Sequence, residues 1–363
     1  ASIMRRSSGL VIDDAALIAP LTHPFLKDLM EALLAVGGSE KNINFNELGT
    51  DDVVDALDNC DMEAVLRDFG NKNPNEDPIL HFYEHFLKDY DSIMREQRGV
   101  YYTPLPVVKF IVRGVDEILQ KEFGLEYGLA DTTTWREMIK RDSALSIPEG
   151  VNHNEPFVQI LDPATGTGTF LVEVIDLIEK RMKGKWKKEG KTDPESDTLW
   201  NDYVPANLLP RLNGFELMMA PYAIAHMKIG LKLFETNYHF GSEERAQIYL
   251  THTLEPASGE NNQLSFSGMF PALAHEAEAV NAIKRNKNFT VVIGNPPYSS
   301  LSCNMSSWIK NLVNDYLNIQ GERIKEKSKR NHLQNDYIKF IRIADLACMK
   351  SPLAIFAYIT SNS

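Results

Sequence analysis

Val158-Gln159-Ile160-Leu161-Asp162-Pro163-Ala164-Thr165-Gly166-Thr167-Gly168-Thr169-Phe170 is the stretch on which the reading of the fold turns. Val158 to Asp162 has the short apolar composition of a buried strand. Gly166 and Gly168 then mark a tight loop whose backbone can come close to a ligand. From Phe170 to Met182, Leu171, Val174, Ile175 and Ile178 recur at helical spacing. Strand, glycine loop and helix in that order open a parallel α/β sheet, and the helix N-terminus favours a carboxylate or phosphate. The third glycine of a dinucleotide fingerprint is absent, because position 171 is Leu.

The alternation continues downstream. Strand one covers 157–162, and Leu212 to Leu217 reads as a second strand, followed by a helix from Pro221 to Leu233. Ala246 to Leu250, residues 289–294 and Ala354 to Ile359 complete a five-strand, doubly wound α/β pattern. The fourth strand runs straight into Gly294-Asn295-Pro296-Pro297-Tyr298, which places a polar turn at the carboxyl edge, where open α/β sheets bind ligands. Two prolines stiffen that turn and leave its carbonyls free to accept. Asn295 adds a second carbonyl and Tyr298 a flat aromatic face. Together they suit a planar amino group attached to a ring or carbonyl: two acceptors offset the charge that grows on its nitrogen during attack.

Three motifs carry a family resemblance. Asp162-Pro163-Ala164-Thr165-Gly166-Thr167-Gly168, ending at Phe170, resembles the first motif of S-adenosyl-L-methionine-dependent methyltransferases. Asn295-Pro296-Pro297-Tyr298 resembles the fourth motif of amino-methyltransferases. Gly99-Val100-Tyr101-Tyr102-Thr103-Pro104, leading into the amphipathic Val107, Val108, Phe110 and Ile111, resembles motif X of adenine-N6 DNA methyltransferases. The order X, I, IV is that of the gamma class. The wording from Glu76-Asp77-Pro78 through His81 to Glu84 and on to Pro104 looks closest to the methyltransferase region of type ISP restriction-modification enzymes, with type I and type IIG relatives.

The resemblance implies a Rossmann-like methyltransferase sheet preceded by an N-terminal helical domain, here 1–90 as a coupler or spacer and 91–363 as the catalytic domain. It also implies transfer of a methyl group to adenine N6 in double-stranded DNA with the target base flipped out, beside nuclease, helicase and target-recognition parts of a longer chain. Asn295, Pro296, Pro297 and Tyr298 become the catalytic residues. Tyr101, Tyr102, Thr103, Asp162, Pro163, Ala164, Thr165, Gly166, Gly168, Glu216, Leu217, His252 and Asn295 become the cofactor-binding set. Within it Glu216 would accept from the ribose hydroxyls, although it lies well beyond the usual ~20 residues after the glycine loop, so 183–210 reads as an insertion. His252 stands where family members commonly carry an acid that accepts from the adenine amino group; a neutral imidazole nitrogen would have to accept instead. Asp336, Tyr337 and Phe340 resemble the fifth motif. Alternatives that share parts of this pattern are a protein-glutamine or RNA amino-methyltransferase, or a non-catalytic cofactor-binding module. A nicotinamide oxidoreductase would leave the Asn-Pro-Pro-Tyr run without a task.

The whole chain sets bounds. Its 363 residues, 43% of them hydrophobic, can bury a large α/β core and a smaller helical one. No run approaches the ~18 apolar residues of a membrane span, and no leader is evident, so a cytoplasmic protein is expected. Cys60, Cys303 and Cys348 lack metal spacing. His81-Phe82-Tyr83-Glu84-His85 has an inverted zincin spacing, but its aromatic surroundings read as a packing helix, and no metal is expected. Net charge is −12, which argues against wrapping DNA unaided. Lys180 to Lys191 nevertheless carries seven basic residues against one acid, and Arg323, Lys325, Lys327, Lys329 and Arg330 form a second cluster. Such runs are usually solvated helix ends or loops; a phosphate contact is more plausible for the second. A start without Met and an end directly after a strand suggest a piece of a longer chain, cut before its last strands and target-recognition domain.

Overall fold

Pro104 fixes the entry to a long helix. The computed structural model describes residues 103–238, 240, 244–257, 271–298, 304–319, 321–326 and 333–360. The helical domain expected over 1–90, the His81–His85 stretch, and Tyr101 and Tyr102 lie outside the described residues. The elements in chain order are α1 (Leu105–Lys121), α2 (Trp135–Arg141), β1 (Ile160–Asp162), α3 (Thr169–Lys188), α4 (Asp193–Tyr203), β2 (Leu212–Glu216), α5 (Met219–Glu235), β3 (Gln247–Leu250), α6 (Pro271–Asn286), β4 (Val291–Gly294), α7 (Ser307–Asn314), the two-residue strands β5 (Asn318–Ile319) and β6 (Glu322–Arg323), α8 (Asp336–Met349) and β7 (Ile355–Tyr358).

Five parallel strands form one sheet in the order β3-β2-β1-β4-β7. The chain winds outward from β1 to β3, then crosses back to β4 and β7. The order therefore reverses between β1 and β4, which opens a crevice at their carboxyl ends. The period-2 alternation sorts side chains onto two faces. Ile160, Val291 and Ile293 join the core made with Val108 and Val112 of α1, Leu171 and Val174 of α3, and Ala225 of α5. Leu161, Phe215, Tyr249 and Val292 meet Val280 of α6 and Ala344 of α8 on the other face. Val291, Val292 and Ile293 are completely buried, each worth about 1.5–3 kcal/mol. With helices on both faces, the expected doubly wound α/β fold is present.

Two details differ from the sequence reading. Strand one is shorter than 157–162 because a side chain replaces part of its ladder: the Gln159 amide donates to Thr290 Oγ1 (3.0 Å), and that hydroxyl donates to the Phe157 carbonyl (2.6 Å). The basic run from Lys180 lies largely on the last turns of α3 rather than in a loop; Lys180, Lys187, Lys188 and Lys191 are exposed, and three of its charges are paired. Lys180 pairs with Asp176, Arg181 with buried Asp116, and Lys183 with Glu179 and Asp197 at 3.2 and 3.1 Å. The expected insertion holds those turns and α4, which starts at a reciprocal cap between Thr192 and Glu195. Among the described residues, no helix is long and apolar enough to cross a membrane.

Candidate active site

The loop after β1 is shaped by close approaches. Gly168 caps α3 in the left-handed region (φ 81°), and a Cβ there would lie 3.2 Å from the Ala225 side chain, so its bareness lets α3 pack on α5. Gly214 of β2 leaves room for the loop itself, since a Cβ would stand 2.4 Å from Thr165 Oγ1. Thr165 is held twice: its amide donates to the Phe215 carbonyl and its hydroxyl to the Asp162 carbonyl, both at 3.0 Å. The Pro163 carbonyl accepts from Thr253 Oγ1 at 2.5 Å, which ties the end of β3 to the loop. Gly166 differs from these neighbours. A Cβ at Gly166 would meet nothing within 4 Å, so this turn faces open space.

Two carboxylates flank that space. Glu216 ends β2 almost fully buried; its Oε2 accepts from the Gly166 amide (2.8 Å) and its Oε1 from the Met218 amide (2.7 Å). The Gly166 amide thus serves Glu216 first, while each carboxylate oxygen retains a further lone pair. Burial raises the Glu216 carboxyl to about 7 despite those bonds. Asp162 ends β1 fully buried. Its Oδ1 accepts from the Ala164 amide (3.1 Å), whereas Oδ2 is buried without a partner. Burial, with Glu216 nearby, pushes the Asp162 carboxyl up to about 8. An unpartnered buried carboxylate oxygen fits a cationic donor, since a donor there relieves the desolvation penalty. Leu217, by contrast, is half exposed beside Glu216.

Across the crevice, Asn295 follows β4. Its Nδ2 donates to Thr103 Oγ1 at 2.9 Å, and its Oδ1 accepts from the Tyr298 hydroxyl at 2.6 Å. Thr103, expected to face the cofactor, therefore touches the turn that follows β4. Tyr298 is partly buried, and burial raises its phenol to about 12, so it remains a donor at neutral pH. Gly294 brings the two sides together, because a Cβ on it would lie 2.7 Å from Asp162 Oδ1.

His252 is arranged differently from its expected acceptor role. The Leu254 amide donates to Nδ1 (3.2 Å), and Nε2 faces Asn304 Oδ1 (2.6 Å). Asn304 Nδ2 donates to Asp336 Oδ2 (3.0 Å), which fixes the amide orientation and makes Nε2 the protonated nitrogen. Both ring nitrogens are thereby used, and neither is left to accept from an adenine. Lys339 donates to the Asn304 carbonyl (2.6 Å), so Asp336 of the fifth motif and its neighbour one turn on anchor this segment. Sequence reasoning missed Asn304 and Thr253, whose contacts join residues far apart in the chain; no local pattern signals them.

Comparison with known proteins agrees with this architecture. Residues 212–363 match the family described as Eco57I restriction-modification methylase. No curated protein matches the chain. Among solved structures, the ATP-dependent Type ISP restriction-modification enzyme LlaBIII bound to DNA is similar with a TM-score of 0.53 and 24% identity, over 78% of this chain and 16% of that one. A nuclease-deletion mutant of the Type ISP enzyme LlaGI, in complex with a DNA substrate mimic, gives 0.58 and 20% over 94% and 23%. The DrdV–DNA complex gives 0.58 and 19% over 98% and 29%. The chain thus spans less than a third of each of these proteins. At these identities they support the fold alone, and the resemblance drawn from the motifs holds at that level.

Proposed function

We propose that the protein methylates adenine N6 in double-stranded DNA, using S-adenosyl-L-methionine, as the modification part of a restriction-modification enzyme. The observation that carries this reading is that Gly294, from which the bonded pair Asn295 and Tyr298 follows, lies against Asp162 at the head of the glycine loop, in the crevice between β1 and β4. When bound, S-adenosyl-L-methionine supplies a sulfonium-activated methyl group.

The unpartnered Oδ2 of Asp162 fits that cofactor's ammonium group, the remaining lone pairs of Glu216 its ribose hydroxyls, and the open space over Gly166 its bulk. Exposed Leu217 offers an apolar edge beside them. Asn295 Oδ1 accepts from the target amino group as its nitrogen gains positive charge, and the Pro296 carbonyl takes the second hydrogen. The adenine must leave the duplex stack to reach this turn. Tyr298 then exchanges its bond to Asn295 for stacking on the base; the lost bond costs about 1 kcal/mol, which stacking of about 1–3 kcal/mol offsets. No nucleophile on the protein is required. The target-recognition, nuclease and helicase parts belong to a longer protein in this reading, as does its cytoplasmic location.

The test is nucleoside analysis of DNA incubated with the full-length protein and S-adenosyl-L-methionine, beside an Asn295→Ala form. N6-methyladenine made by the first and lost in the second is the expected result. Methyl groups appearing on another base, or only on a polypeptide or RNA, would overturn the substrate. Calorimetric titration with a Gly166→Trp variant tests the cofactor separately: its indole would fill the open space and abolish binding.

A further inference from the structure

Tyr358 ends β7, directly opposite Gly294 in the β4–β7 register. Paired residues of parallel strands point to the same face, and Gly294 presents no side chain there. From the strand on one side, Asp162 Oδ1 lies 2.7 Å from where the missing Cβ would be, and on the other side Tyr358 is the residue paired with Gly294. Tyr358 packs against the cluster that contains Leu161 and Val292 and also against the one that Ala164 of the glycine loop packs on. Although the residue as a whole is only partly buried, its hydroxyl is buried and has no partner. Asp162 Oδ2 is in the same condition. The strands on either side of β4, β1 and β7, thus each end in a buried polar atom with no partner. Such atoms are costly, and a protein keeps them where a ligand satisfies them.

We infer that Tyr358 is a positioning residue for the primary ammonium group of the methyl donor, acting with Asp162 as one polar pair. Its hydroxyl supports the carboxylate that receives the ammonium, so the pair recognises the amino-acid end of the donor rather than its nucleoside end. This rests on the methyl-donor reading above. The phenol stays protonated throughout, since burial and the charges of Asp162 and Cys348 all raise it, while Glu216 is the charge that acts on Asp162. A tyrosine kept only for packing would gain by losing the hydroxyl, because an unpartnered buried polar group is a cost. The functional role predicts stability and binding moving in opposite directions.

The experiment titrates the full chain calorimetrically with S-adenosylmethionine and with 5′-methylthioadenosine, which has the same nucleoside but no amino-acid end. Wild type is compared with Tyr358→Phe, and thermal unfolding without ligand shows that the variant is folded. The expected result is a loss of about tenfold or more in affinity for S-adenosylmethionine, an unchanged affinity for 5′-methylthioadenosine, and a melting temperature equal to or above wild type. Tyr358→Leu replaces Phe if the latter does not fold. Asp162→Asn should show the same ligand selectivity, and adding Tyr358→Phe to it should cost little more. Equal losses for both ligands, or no loss for either, would overturn the role of Tyr358. Failure of wild type to bind both ligands would instead overturn the methyl-donor reading itself.

Discussion

Thr103 Oγ1 and Asn295 Nδ2 are joined by a 2.9 Å hydrogen bond although 192 residues separate them in the chain. The motif before α1 therefore holds the side chain whose carbonyl is proposed to meet the target amino group. Replacing Thr103 with Val keeps the shape and removes the bond. Turnover should fall about 5- to 30-fold, the rate equivalent of one positioning hydrogen bond of about 1–2 kcal/mol, with cofactor affinity unchanged. Steady-state kinetics beside calorimetry separates the two. Weaker cofactor binding with unchanged turnover would return Thr103 to the cofactor side, where the resemblance puts it.

Tyr298 has two separable parts. Its hydroxyl donates to Asn295 Oδ1, the atom proposed to accept from the substrate. Tyr298→Phe frees that oxygen and keeps the stacking face, so transfer should be retained. Tyr298→Ala removes the face and should cost about 1–3 kcal/mol of DNA binding or transition-state stabilisation. Single-turnover rates on a fixed DNA decide between them. Equal losses in the two variants would mean that the hydroxyl, not the ring, matters.

Gly214→Ala tests how far the loop depends on close packing. The new methyl would stand 2.4 Å from Thr165 Oγ1 and 3.0 Å from Leu171 Cδ1, in a strand buried on both faces. Overpacking of this kind costs about 1–3 kcal/mol. Because Thr165 belongs to the glycine loop, cofactor affinity should fall along with the melting temperature. A variant that melts lower yet binds cofactor normally would show that the loop relaxes independently of its ligand contacts.

Most of the sheet and both ends of the crevice were legible in the chain. Helical spacing after Gly168 and β-branched runs before Asp162 and Asn295 report local geometry, and local geometry fixes where each strand ends. What stayed hidden depends on pairing between distant segments. That Thr103 reaches Asn295, that both nitrogens of His252 are engaged by Leu254 and Asn304, and that Tyr358 stands opposite Gly294 all follow from sheet order and register. The basic run does end α3 largely exposed, but the pairing of Arg181 with Asp116 and of Lys183 with Asp197 was hidden for a similar reason, since those partners lie on other helices.

Acidity should govern the stability of the protein without ligand. Asp162 titrates near 3.8 when unfolded and about 8 when folded, and Glu216 near 4.5 and about 7. Between those limits the folded state holds protons that the unfolded chain has lost, so raising the pH destabilises the fold. The loss begins near pH 4, ends near 7 for Glu216 and near 8 for Asp162, and has a slope of at most about 1.4 kcal/mol per pH unit per group. Lys284 acts above this window with the opposite sign: burial lowers it to about 8, so between there and its ordinary value a rising pH restores stability. The melting temperature should therefore fall from pH 5 to pH 8. In Asp162→Asn the decline should become shallower and finish near pH 7. Saturating S-adenosylmethionine should flatten it as well, since an ammonium against Oδ2 favours the carboxylate. An unchanged slope in the variant would mean that Asp162 keeps its charge at neutral pH, and that the glycine loop is more hydrated than its packing indicates.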